Sequence, residues 1–353
     1  MRPRPALRAH RAGRRRWPRR VALSFLALVA LAGGAGASWW HETALPKIAE
    51  GAPSVRLVVP AGASAESIAR QLHALGLVRH PLVFRVLAQV RGVGAQLKAG
   101  EYALSGPLSL EGILAALSRG DVVRRDLTVP EGRSLDEIAA LVAAEGLGLE
   151  AFLEAARDPA PVRDLDPVAA DLEGYLFPDT YDVPQAPGAP RALVRRMAQR
   201  FREVIGPELP RITGRGLTVR QVVTLASIVE LETASAPERP RIAAVFLNRL
   251  EKGMPLQTDP SIVYALKKAG RWDGNIRKRD LDILSPYNTY RRPGLPPGPL
   301  GSPGRDAIRA VLEPAGTKEL YFVSRNDGTH EFSETLAEHN RAVNRYQRRR
   351  ARS

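Results

Sequence analysis

The sequence predicts an α+β protein: a single membrane-spanning helix at the amino end, a small α+β module, then a larger mixed α/β domain. Three observations carry this. An uncharged run, Val21 to Trp40, follows a cluster of arginines. A strand–turn–helix pattern at residues 59–77 recurs at 129–147 with nine identical positions. Farther on, an apolar helix, polar aromatic turns, a hairpin and a capped helix make up a compact carboxyl half. The expected boundaries are a basic cytoplasmic tail at 1–20, a transmembrane anchor at 21–40 and a tether at 41–54. The module follows at 55–124, the second domain at 125–347 and a basic tail at 348–353.

The amino end comes first. Nine arginines and no acid occupy the first twenty residues, which would hold that end in the cytoplasm. The twenty uncharged residues that follow span a bilayer at about 1.5 Å per residue, with Trp39 and Trp40 placed as an interfacial pair. A cleaved signal peptide is the alternative, because the strongly apolar part ends near Ala32 and Ala35-Gly36-Ala37 fits a cleavage site. In both readings the rest of the chain lies outside the cytoplasmic membrane.

Each copy of the repeat reads as the end of a strand, a Pro-x-Gly turn, a serine N-cap and an amphipathic helix stopped by glycine. Ser134 and Glu137 make a capping box. Between the copies, residues 97–104 turn into a strand, and Ser109 caps a further helix that ends at Gly120. Such a module is a spacer or packing unit on one reading and a saccharide binder on the other.

Composition narrows the chemistry. With 44% hydrophobic and 25% charged residues, whole-chain disorder is excluded. The net charge of +15 suggests nucleic acid, but nine of those charges lie in the first twenty residues and four in the last six. The +2 that remains gives no nucleic-acid-reading face. Cysteine is absent and the six histidines are scattered without an HExxH motif, so neither a metal nor another cofactor is expected. Residues 294–304 hold too many prolines for a phosphate cradle, and no GxSxG elbow occurs.

What remains is a helix opened by a capping box, Thr218 with Gln221, and apolar on nearly every face from Val222 to Leu231. Two acids nevertheless stand at its end, Glu230 and Glu232. Spaced i, i+2, they point about 200° apart and cannot share one cleft. A glutamate among aliphatic side chains has a raised pKa and suits a general acid. The competing reading pairs it with Arg239 or Arg241. Around this helix in sequence lie Glu173-Gly-Tyr-Leu-Phe-Pro-Asp-Thr-Tyr181, Leu256-Gln-Thr-Asp-Pro-Ser261 and Ser285-Pro-Tyr-Asn-Thr-Tyr290. Such loops offer ring faces and hydroxyl partners to a sugar, although a loop aromatic is more often a packing anchor.

These three segments occur in order with Ala226-Ser-Ile-Val-Glu-Leu-Glu-Thr233, Ala244-Val-Phe-Leu-Asn-Arg-Leu250, Gly294-Leu-Pro-Pro-Gly298, Tyr321-Phe-Val and His330-Glu-Phe. Together they strongly resemble the YceG-like family of membrane-anchored endolytic murein transglycosylases, over roughly residues 55–345. The resemblance implies a LysM-like first module and selects Glu232 as the catalytic acid; Leu231 stands where a lysine is common in relatives. It further implies non-hydrolytic cleavage of the MurNAc–GlcNAc β-1,4 bond to 1,6-anhydro ends, possible peptidoglycan synthase partners, and a domain on the periplasmic side of the cytoplasmic membrane. Gln257, Thr258, Asp259, Tyr287, Asn288 and Tyr290 are expected to line the substrate groove; Glu173, also a candidate substrate contact, and Glu230 are expected either to orient the site or to serve the structure. A lysozyme-type hydrolase, with Asp259 or Asp179 activating water, and a non-catalytic glycan-binding scaffold are the rival expectations. The carboxyl end is expected to form a hairpin around Asp327-Gly328 and a helix from Thr335 to about Arg348.

Overall fold

A computed structural model describes residues 19–348. The expected basic stretches therefore lie almost wholly outside the described residues. The described residues form two compact units, 19–123 and 124–348.

In the first unit, α1 (Arg19–Thr43) is the apolar amino-terminal helix; residues 23–41 are exposed, and only Glu42 and Thr43 at its end are buried. It is long and apolar enough for a single-pass anchor. The remaining elements are β1 (Pro46–Ile48), β2 (Val55–Val59), α2 (Ala65–Ala74), α3 (Pro81–Val90), β3 (Gly100–Leu104), β4 (Leu108–Ser109) and α4 (Leu110–Arg119). β2 pairs antiparallel with β3, and β1 with β4. The stretch read as a tether thus contributes a strand to this unit. Ile68, Leu72, Phe84, Leu87, Tyr102 and Ile113 form its core.

The second unit begins with β5 (Arg124–Thr128), α5 (Leu135–Ala144), α6 (Leu149–Ala156), β6 (Thr180–Pro184), α7 (Ala189–Ile205) and α8 (Leu209–Gly214). It continues with α9 (Val219–Glu232), α10 (Arg239–Glu251), α11 (Asp259–Lys268), α12 (Arg305–Leu312), β7 (Tyr321–Ser324), β8 (His330–Ser333) and α13 (Leu336–Val343). β5 pairs antiparallel with β6, and β7 with β8 around Asn326 and Gly328, both at positive φ. Helix and strand are mixed, and all four sheets among the described residues are antiparallel pairs. α13 stops at Val343 and passes into a π turn at 344–348, shorter than the regular helix expected there.

The repeat is visible in both units as β2–turn–α2 and β5–turn–α5. Ser64 and Ser134 cap the two helices, the latter in the expected capping box. Gly62 and Gly132 turn the chain at φ of 72° and 77°, where a side chain would be strained. α9 is the centre of the second unit: Val222, Val223, Ala226, Ile228 and Val229 are all fully buried. Its buried Ser227 accepts the Leu300 N–H at 3.0 Å, which fastens the Gly- and Pro-rich loop to the helix. α10 holds the approach to β7 through Asn248, which donates to the carbonyls of Thr317 and Glu319.

Candidate active site at the end of a buried helix

The capping box of Thr218 and Gln221 starts α9, and Thr233 ends it in an extended conformation. The two acids of the last turn diverge as their spacing requires, and each meets different partners. Glu230 accepts from Arg239 Nη2 at 2.6 Å and from the Gly304 N–H at 2.9 Å. Both side chains of that ion pair are nearly buried. Burial raises the Glu230 pKa, while Gly304 and Arg239 oppose the rise. Glu230 therefore ties α9 to α10 and to the 298–304 loop. Of the two arginines considered as partners, Arg239 takes the role; Arg241 is bound to Glu319 instead.

Glu232 is half-buried, and its Oε1 accepts a hydrogen bond from Thr258 Oγ1. Burial pushes its carboxyl up to about 7, helped by the negative charge of Asp259 and opposed by the Thr258 bond and the Arg249 guanidinium.

Thr258 stands at the N-cap of α11, yet its side chain makes no capping bond. Its hydroxyl is committed to Glu232. Three contacts fix it there. The Thr258 N–H donates to Thr289 Oγ1 at 3.0 Å, Ser261 Oγ donates to the Thr258 carbonyl at 2.7 Å, and Gln257 donates its N–H to the Thr289 carbonyl at 3.1 Å. Gln257 reaches that position through a left-handed φ of 51°. Beside them, Tyr290 donates to Asp259 Oδ1 at 2.5 Å. Burial and that carboxylate raise the Tyr290 pKa.

Arg249 completes the setting from α10. It is 8% exposed and donates to the carbonyls of Leu256 and Leu320, both at 2.6 Å. Its guanidinium also lies 5.2 Å from the Tyr321 ring centroid. Sequence reasoning missed Arg249 and Thr289 as individual residues, though both stand in quoted motifs. The available signals were an arginine among the apolar residues of a helix and a β-branched hydroxyl flanked by polar loop residues.

Of the residues expected at the groove, Gln257, Asp259, Tyr287 and Tyr290 keep exposed surface. Thr258 and Asn288 do not: each is 1% exposed, and the Asn288 amide donates to the carbonyls of Leu281 and Ile283. Asn288 shapes the loop from inside. Glu173, 6% exposed, belongs to a separate cluster, where it accepts from the Leu135 N–H at 2.8 Å and from the Tyr264 hydroxyl at 3.1 Å. Burial pushes its pKa up to about 7. Tyr287 packs on Tyr264 in this cluster, with ring centroids 4.7 Å apart. Tyr175, Phe177 and Tyr181 are core residues, so the segment 173–181 supplies packing anchors and no ring face for a sugar. Asp179 is held by Arg200 at 2.9 Å.

A carboxyl with a pKa near neutrality, one oxygen held by a hydroxyl, can donate a proton and take one back. Glu232 has that setting. Glu230, locked to a buried arginine, is the anchor beside it.

Three comparisons with known proteins bear on this site. The YceG-like family model matches residues 57–345. An endolytic murein transglycosylase of Streptococcus pneumoniae is 34% identical over 91% of this chain and 63% of its own length. One from Bacillus subtilis is 32% identical over 83% of this chain and 85% of its own length. The chain thus spans under two thirds of the pneumococcal relative. Among solved structures, a yceG-like protein of Listeria monocytogenes is similar with a TM-score of 0.56 and 31% identity, covering 82% of this chain and 99% of that one.

Proposed function

The chain belongs to the YceG-like family, and from that premise we propose that it is a membrane-anchored endolytic murein transglycosylase. It cleaves the MurNAc–GlcNAc β-1,4 bond within glycan strands. The observation that carries the reading is the Glu232 carboxyl, raised to about 7 by burial and held by Thr258. The pneumococcal and Bacillus relatives, both named endolytic murein transglycosylases, support it.

In this reading Thr258 occupies Oε1, which leaves Oε2 to carry the proton. Protonated Glu232 donates to the glycosidic oxygen as the C1–O bond breaks, and the leaving sugar departs with a free hydroxyl. The carboxylate so formed is stabilised by the Thr258 hydrogen bond and the Arg249 charge. It then takes the proton of the C6 hydroxyl of the same MurNAc, whose oxygen closes onto C1. The product is a 1,6-anhydro end, no water is consumed, and Glu232 returns to its acid form. A single carboxylate serving twice suits a site in which the neighbouring Asp259 is already bonded to Tyr290.

α1 is the membrane anchor, with the amino end cytoplasmic and the chain beyond about residue 41 on the outer side. Residues 55–124 are a LysM-like module. Tethering places the site where new strands emerge, so the enzyme acts on nascent glycan and ends its elongation alongside peptidoglycan synthases. Digesting isolated murein with the detergent-solubilised full chain in oxygen-18 water tests the chemistry. Unlabelled anhydro ends are expected. Labelled reducing ends, one water heavier, would instead identify a hydrolase of lysozyme type.

A further inference from the structure

Leu231 is 41% exposed at the end of an otherwise buried helix, between two acids whose roles are accounted for. It forms one wall of a cavity of about 300 Å³ in the second unit, together with Val263 and Leu300. Asp259, Glu137 and Lys267 bring fixed charge to the same cavity. Lys267 Nζ lies 2.9 Å from Glu137 Oε1, and both side chains keep about a third of their surface open. Two lining residues, Leu231 and Asp259, are the chain neighbours of Glu232 and of Thr258, the residue that holds it.

This lining does not suit a sugar ring. A neutral ring is recognised by open aromatic faces and uncharged hydrogen-bonding groups, but the one aromatic here, Tyr264, is 6% exposed and gives its hydroxyl to Glu173. The cavity instead combines an aliphatic wall with charges of both signs. That combination matches a short peptide bearing small alkyl side chains, free carboxylates and an amine. We propose that this cavity binds the stem peptide of the muramyl residue being cleaved, an inference that rests on the activity proposed above. Lys267 takes a peptide carboxylate. Glu137 tolerates the exchange because its other oxygen already accepts the Ser134 N–H at 3.0 Å. Asp259 accepts the amine, while Tyr290 holds its Oδ1. The peptide then sets which bonds along the strand are presented to Glu232.

The test compares kcat/KM of the full chain on peptide-bearing glycan strands and on the same strands stripped of peptide by an amidase. The wild type should favour the peptide-bearing strands by roughly tenfold, the scale of one charge-assisted contact. In Lys267→Glu, and in Val263→Trp, which fills the cavity, that ratio should collapse toward one. Because the ratio is internal to each variant, a general loss of folding does not mimic the result. Equal rates on both substrates in the wild type, or an unchanged ratio in both variants, would overturn the inference and leave the transglycosylase reading intact. If the wild type cleaves neither substrate, that reading fails, and titration of the protein with free stem tetrapeptide decides the cavity separately. NMR shifts at Leu231 and Val263 that Lys267→Glu abolishes support it; their absence overturns it.

Discussion

Thr258 gives its hydroxyl to Glu232 and leaves the first turn of its own helix without a side-chain cap. An N-cap bond of this kind is typically worth about 1 kcal/mol, so the arrangement forgoes local stability at the position that touches the acid. Thr258→Val keeps the shape and the backbone bond to Thr289. Since the hydroxyl opposes the rise of the Glu232 pKa, its removal should carry the alkaline limb of the pH–rate profile upward and lower kcat roughly tenfold. Rates measured between about pH 5 and pH 9 check both effects.

Arg249 acts on the same carboxyl through its charge. Arg249→Met removes a positive charge that lowers the Glu232 pKa and leaves the carbonyls of Leu256 and Leu320 without their donor. The expected outcome is an alkaline limb displaced upward together with a loss of about 2–4 kcal/mol in unfolding free energy. Denaturant melts and a pH–rate profile of the same preparation separate the two.

Linkage gives a third expectation. The folded pKa of Glu232 lies at about 7, above its ordinary 4.5, so the native state binds the proton more tightly than the unfolded chain. Its contribution to stability is fully present below about pH 4.5 and is lost as pH rises through about 7. Glu232→Gln removes that loss. At about pH 8 the variant should be more stable than wild type by about 1–3 kcal/mol, with the difference shrinking toward pH 4. Paired thermal melts across this range decide it, and a difference independent of pH would contradict the burial assigned to this carboxyl.

Glu230 should behave otherwise. Arg239→Met leaves a nearly buried carboxylate without its cation and should cost about 3–5 kcal/mol. Glu230→Gln, which keeps an acceptor for the Gly304 N–H, should retain far more activity than Glu232→Gln. Urea melts and turnover assays measure the two effects.

How far the sequence speaks for itself depends on how local each interaction is. The capping boxes of Ser134 and Thr218 and the Gly132 turn were legible because all their partners lie within a few residues. The helical angle alone separated Glu230 from Glu232. Their division of labour was not legible, because it is set by Arg239, Thr258 and Gly304, which lie 9, 26 and 74 residues from the acid each one contacts. Family resemblance supplied the choice that spacing left open. Likewise Tyr175 and Tyr290 both stand in polar, aromatic segments. One became core and the other a bonded neighbour of Asp259 through long-range packing that no local pattern records.

The most direct test of the central claim is mass spectrometry of murein fragments released by wild type, Glu230→Gln and Glu232→Gln, each as the full chain in detergent. Internal fragments with 1,6-anhydro-MurNAc ends should form with wild type and with Glu230→Gln, and fall roughly a hundredfold or more with Glu232→Gln. Undiminished anhydro product from folded Glu232→Gln would contradict the assignment of that carboxyl as both the acid and the base of the reaction.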